Sequence, residues 1–306
     1  MPDLFSPLTL GRLRLPNRIA LGPVPSGCAA AGGFAGRELA DFYARVAQGG
    51  AGLLVSEPLL ALAPHAGAPH LGAYDDSFIP GLRQACEAAQ AHGARVLLTV
   101  DAPTPAEPPR MAELRAMAEA LVLAAWRAHA AGADGVMLTA AHDGLLHSLI
   151  SPLRNQRYDA YGRGLEGRLR LALEVIEGVR SWLGRRSLLA FRMLADELAP
   201  GGMSLQDGRV LAKRLSAAGV QLIDVAPPSA GPQVARFPGW AIPLASSIKR
   251  IAEVPVAGSG LLGDPHLADS VIRDGSVDLV MLGGTLLENP GWPGQARSRL
   301  AAEGGA

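Results

Sequence analysis

Residues 95–139 decide the fold: RVLLTV (95–100), DAPTPAEPPR (101–110), MAELRAMAEALVLAAWRAHAA (111–131), then GAD and GVMLT (135–139). The outer pieces are short, near-continuous apolar runs. That is the pattern of parallel strands covered on both faces. The long middle piece is rich in good helix formers and stops at Gly132, a residue suited to ending a helix. Strand, connector, helix and strand together make one βαβ unit.

The same alternation runs outward in both directions. It predicts strands at Arg18–Leu21, Gly52–Ser56, Arg95–Val100, Gly135–Thr139, Leu188–Met193, Gln221–Val225, Pro255–Gly258 and Asp278–Leu282. Helices are predicted at Arg37–Gln48, Pro80–His92, Met111–Ala131, Gly164–Leu183, Leu205–Ala217, Ile242–Ala252 and Pro265–Asp274. Gly49, Gly93, Gly219 and Gly275 supply further stops, and Asp264-Pro265 supplies an N-cap followed by proline at the first helical position. Eight such units imply an α/β fold, a (β/α)8 TIM barrel, as one domain over residues 1–306. A doubly wound sheet is the alternative, but the first strand does not lead into a G-x-G-x-x-G turn. In a barrel the chemistry sits at the C-terminal strand ends.

Composition narrows the function. Hydrophobic residues make up 49% and charged residues 18%, which excludes a disordered chain. The 28 basic and 28 acidic residues cancel. Nothing in that balance recruits nucleic acid or an acidic membrane. Lys213 and Lys249 are the only lysines, and both fall in predicted helices. Schiff-base chemistry on a strand-end lysine is therefore not expected. Cys28 and Cys86 form neither a disulfide framework nor a metal motif, and His65, His70 and His147 read as surface or loop residues. No bound metal is expected. Without a visible signal peptide or a long apolar span, the chain is expected to be soluble and cytoplasmic.

The stretch SPLRNQRYDAYG (151–162), with Glu166, Arg168 and Arg170 after it, resembles the S-P-x-x-N-x-R-x-D-x-Y-G-G…E-x-R-x-R signature of the old yellow enzyme family. Leu15-Pro16-Asn17-Arg18-Ile19, Gly49-Gly50-Ala51-Gly52-Leu53 and Asn289-Pro290 agree with it. The resemblance covers nearly the whole chain. It implies a (β/α)8 barrel that binds FMN and uses NAD(P)H. The polar residues of the long signature read as a scaffold, with Asn155, Arg157, Asp159 and Tyr161 holding the loop after the fourth strand.

The resemblance also assigns a site. After the fourth strand the family carries two polar residues that hold the substrate carbonyl, then a tyrosine that donates a proton; here those positions are Thr139, His142 and Gly144. Candidate catalytic residues are His142, Thr139 and Asp143. Candidate cofactor-binding residues are Pro23, Val24, Thr99, Arg192, Gly258, Ser259, Gly260, Gly283 and Gly284, with Arg192 beside the flavin. The sequence departs from the family at Pro25, Pro58, Thr99 and Gly284, the last replacing a phosphate-clamping arginine. The family's long excursion after the third strand is replaced by the proline-rich connector 101–110.

Glu57, Asp101 and Asp196 should also reach the mouth. A histidine beside carboxylates suits acid–base work. The plainer reading makes Asp101 and Asp143 solvated loop acids and Glu57 a structural partner of Arg192. Cys28 reads as a small buried thiol. The expected function is oxidoreduction of a small carbonyl or enone-type compound. The alternatives are flavin-free proton transfer by His142 and Arg192, or a non-catalytic barrel. A small-molecule substrate is the expected partner, and an open mouth allows a homo-oligomer.

Overall fold

The computed structural model describes residues 1–63, 70–184, 187–229 and 234–303. Among them, eight parallel strands close a ring: β3 (Ile19–Leu21), β4 (Leu53–Leu60), β6 (Arg95–Asp101), β7 (Gly135–Ala140), β8 (Leu188–Leu194), β9 (Leu222–Ala226), β10 (Val256–Gly258) and β11 (Leu279–Met281). Closure comes from β3, which pairs with β4 on one side and with β11 on the other. The eight expected strands are these eight, with ends shifted by one or two residues except at β4. That strand runs on to Leu60 through a register shift between Val55 and Pro58. A proline is tolerated at such a bulge because it has no ladder hydrogen bond to give.

Side chains alternate across each strand. Leu97, Met137, Leu188, Ala190 and Leu222 point inward and pack in one cluster. Val96, Leu98, Val136, Leu138, Leu189 and Phe191 point outward into the helices. A hairpin of β1 (Leu8–Leu10) and β2 (Leu13–Leu15) adds Leu8, Leu10 and Leu15 to the inner cluster. Leucines at that end plug the barrel, so its accessible mouth is at the other, C-terminal end.

The outer helices are α1 (Arg37–Gln48), α2 (Ile79–Gln90), α3 (Met111–Ala130), α5 (Gly164–Leu183), α6 (Leu205–Ala217), α7 (Ile242–Lys249) and α8 (Pro265–Arg273). These match expectation, including the Asp264 cap, whose Oδ1 accepts from the His266 and Leu267 amides at 3.1 and 3.0 Å. Lys213 lies in α6 and Lys249 ends α7, where it pairs with Asp278 at 2.9 Å. The two-residue β5 (Leu71–Gly72), α4 (Leu145–Ile150), α9 (Gly283–Glu288), α10 (Trp292–Glu303) and two 3-10 turns (Ala31–Gly33 and Asp76–Phe78) complete the described elements. No helix among the described residues is long and apolar enough to cross a membrane.

The 151–162 signature acts as the expected scaffold. Asn155 Nδ2 donates to the carbonyls of Leu149 and Tyr161 at 2.6 and 2.8 Å, while its Oδ1 accepts from the Arg157 amide. Arg157 grips Asp159 and also donates to the Pro109 carbonyl at 2.5 Å. That last bond ties the proline-rich connector to the loop after β7.

Candidate active site

Two cavities meet over the strand ends. The first, about 390 Å³, is lined by Pro23, Val24, His142, Arg192, Ser259, Gly260, Gly283 and Gly284. The second, about 410 Å³, is lined by Pro23, Glu57, Pro58, Thr99, Asp101, Thr139, His142 and Arg192. Each volume lies in the range of ordinary ligand pockets. Pro23, His142 and Arg192 border both.

Strand register explains the shared wall. Thr139 on β7 stands opposite Arg192 on β8, and Arg192 stands opposite Asp224 on β9. All three face inward at the last layer before the mouth. The Arg192 guanidinium donates to the Asp224 carboxylate, which is completely buried. Glu57 is not its partner, contrary to expectation. Glu57 instead accepts the Ser26 hydroxyl and amide. Asp224 was not singled out from sequence, although a lone acid inside the apolar run QLIDVA (221–226) was the signal available.

His142 sits on the rim in a left-handed backbone conformation, with φ 60°. Such a φ is uncommon for a side-chain-bearing residue, and Leu198 and Leu261 also adopt it. The His142 Nδ1 is 3.1 Å from Ser229 Oγ. Partial burial, then the Arg192 charge, lowers its pKa, so the ring is neutral near pH 7. Its carbonyl accepts a hydrogen bond from His147. His147 is buried, not a surface residue, and its Nε2 lies 3.0 Å from Glu197 Oε1. Glu197 also accepts from Ser151 Oγ at 3.0 Å and from the Met203 amide at 2.7 Å. Burial opposes ionisation of Glu197, but these hydrogen bonds outweigh it and hold its pKa at about 2.

The remaining acids divide. Asp143 is exposed and pairs with Arg154 at 2.6 Å, as the solvated reading expected. It lines the second cavity, yet this pairing draws its carboxylate outward. Asp101 is a correction to that reading, because it is buried at the end of β6. Burial pushes its pKa up to about 7. Asp196 accepts the Leu198 and Leu205 amides at 2.7 and 3.1 Å and so organises the β8–α6 loop.

Cys28 is half-buried rather than buried, and its thiol donates to the Ser26 carbonyl at 3.6 Å. His65 lies outside the described residues. Among the described residues no group of three or more His, Cys, Asp or Glu is placed to hold a metal ion.

Of the expected cofactor residues, Gly258 stands apart. Its missing side chain faces Val277, Ala245 and Ile242, where a Cβ would sit 2.8–3.2 Å from their atoms. That is close packing against helix and loop. The other glycines do line the first cavity. A Cβ on Gly283 would meet Val24 Cγ1 at 2.4 Å, whereas one on Gly284 would meet nothing within 4 Å. Arg236 and Trp240 line the same cavity and were missed, because their loop carries no periodic signal. Among the described residues, the buried hydroxyls of Thr99 and Ser259 have no hydrogen-bond partner. One borders each cavity, and unsatisfied buried hydroxyls suit a polar ligand laid across both. The residues present therefore fit a group of FMN type.

Residues 3–119 and 110–303 match the family described as NADH:flavin oxidoreductase / NADH oxidase. The chain is 31% identical to an NADH oxidase of Thermoanaerobacter brockii, covering 97% of this chain but 51% of that protein. Thus it spans about half the length of that relative. It is 32% identical to an NADPH dehydrogenase of Geobacillus thermodenitrificans (strain NG80-2), covering 98% of this chain and 95% of the other. The structure of an old yellow enzyme homologue from Zymomonas mobilis superposes with a TM-score of 0.83 at 21% identity, over 97% of this chain and 93% of that one. This last likeness shows the fold.

Proposed function

Because the chain belongs to the NADH:flavin oxidoreductase / NADH oxidase family, of the old yellow enzyme type, we propose that it is an oxidoreductase that reduces a small carbonyl or enone-type compound at the joined cavities. FMN is the cofactor this family membership implies, and when bound it supplies the hydride taken from NAD(P)H. Pro23, Val24, Ser259, Gly260, Gly283 and Gly284 would hold it on the β10–β11 side. Thr99 and Arg192 would meet it from the barrel.

One observation carries the reading. His142 and Arg192 stand on the wall that the two cavities share, and Thr139, the register partner of Arg192, lines the second cavity beside them. A hydroxyl and a neutral imidazole donate hydrogen bonds to a carbonyl oxygen as negative charge grows there. Arg192, fixed by Asp224, presents a positive charge without adjusting its position. His142 lines both cavities from a left-handed backbone, and His147 bonds the carbonyl of the same residue.

The test is direct. Purified protein is mixed with FMN, and binding is followed by flavin fluorescence. NADPH consumption is then measured with 2-cyclohexenone. The expected result is saturable FMN binding and enone-dependent turnover that falls in T139V and H142A. Absence of FMN binding would overturn the reading and favour flavin-free proton transfer.

A further inference from the structure

We propose that the carboxyl of Asp101 is the proton donor at this mouth, occupying the space that Gly144 leaves empty. The proposal rests on the enone-reducing reading above.

Reduction of a C=C bond conjugated to a carbonyl needs a hydride at the far carbon and a proton at the near one. The hydride would come from NAD(P)H by way of a bound flavin. The proton needs an acid within the cavity. Most groups there are engaged or unsuited. Arg192 is locked to Asp224, and Glu57 holds the Ser26 hydroxyl and amide. His142 has lost its extra proton near neutral pH. The hydroxyls of Thr99 and Thr139 are far too weak as acids. Asp143 is exposed and ion-paired.

Asp101 is different in three respects. It borders the same cavity as Thr139 and His142. It has no Lys, Arg or His partner among the described residues, and its Oδ1 accepts from the Ala102 amide at 2.8 Å. Its two oxygens lie 2.3 and 2.4 Å from where a Cβ on Gly144 would be. A side chain at residue 144 and this carboxyl therefore compete for one space beside the substrate clamp. The acid fills it.

The titratable and charged groups that line the same cavity as this carboxyl are Glu57 from β4, His70 ahead of β5, His142 and Asp143 from the β7–α4 loop, and Arg192 from β8. Burial keeps Asp101 partly protonated at neutral pH, with a pKa of about 7. In the step, the O–H bond of Asp101 breaks and a C–H bond forms at the carbon next to the carbonyl. The electron pair for that bond comes from the enolate that hydride addition creates. Asp101 is left as a carboxylate and regains its proton from water.

The experiment has two arms. In the first, protein labelled with [4-13C]aspartate is titrated by NMR without substrate. Asp101 is assigned with D101N, or with G144A should D101N not fold. A midpoint between pH 6 and 8 is expected, and a midpoint below 5 would overturn the proposal. In the second, wild type and D101N are compared with an enone and with a quinone, whose oxygens take protons from water. D101N is expected to lower kcat with the enone about 10²-fold, and more than with the quinone. Equal enone turnover by both proteins would refute the role of Asp101. Wild-type protein that reduces quinones but no enone would instead sink the enone reading itself.

Discussion

Arg192 and Asp224 are register partners on β8 and β9, and the guanidinium of one closes on the fully buried carboxylate of the other. Arg192 forms part of the wall that the two cavities share, and Asp224 holds it from behind. Removing the acid would leave a cation buried with no counter-charge. Breaking such a pair costs about 3–5 kcal/mol. Asp224→Ala is therefore expected to lower the urea midpoint by a corresponding amount. A loss below 1 kcal/mol would show that Arg192 finds another partner.

Asn155 carries the loop after β7 by satisfying two buried carbonyls at once. Leaving a buried acceptor unsatisfied costs about 1–3 kcal/mol. Asn155→Ala is expected to destabilise the protein by about 2–4 kcal/mol, from two such losses with partial relaxation. Thermal unfolding checks this. Asp159→Ala should do less, since Arg157 keeps its bond to the Pro109 carbonyl.

These two sites show what the sequence made legible. The strands could be read because runs such as LLAFRML are apolar on both faces, and both faces are covered. The scaffold role of Asn155 could be read because grouped polar loop residues pair with one another. The partner of Arg192 could not. Glu57 and Asp224 both face the barrel interior at the mouth, and only strand register shows that Asp224 stands opposite Arg192. Asp101 was misjudged for a related reason. It follows an apolar run and precedes prolines, which reads as a loop start, whereas β6 extends one residue further and buries it. The β1–β2 hairpin and β5 span two or three residues each, too short to show a period.

Glu197 gives a pH signature. Its pKa is held at about 2 in the fold against an ordinary 4.5. A depressed carboxylate adds stability that is fully present above 4.5 and is lost as pH falls through 2. The contribution is on the order of 2 kcal/mol. Wild type minus E197Q should therefore show a stability difference that shrinks between these two pH values. A difference flat with pH would mean that the His147 and Ser151 contacts do not favour the ionised form.

Gly144 and Asp101 make the last prediction. Gly144 has φ −73° and ψ 163°, extended backbone that any residue adopts, so an alanine there meets no backbone strain. It meets the Asp101 carboxyl instead, well inside contact distance. Gly144→Ala is expected to cost about 1–3 kcal/mol through overpacking. Asp101→Ala clears the space but leaves the Ala102 amide without its acceptor. The double variant D101A/G144A should then be more stable than the sum of the two single losses predicts, by about 1 kcal/mol or more, as residues sharing one space do not add independently. Strict additivity in urea unfolding would mean that the carboxyl can swing aside freely. It would also remove the steric reason why an acid on β6, rather than a side chain at residue 144, fills this corner of the mouth.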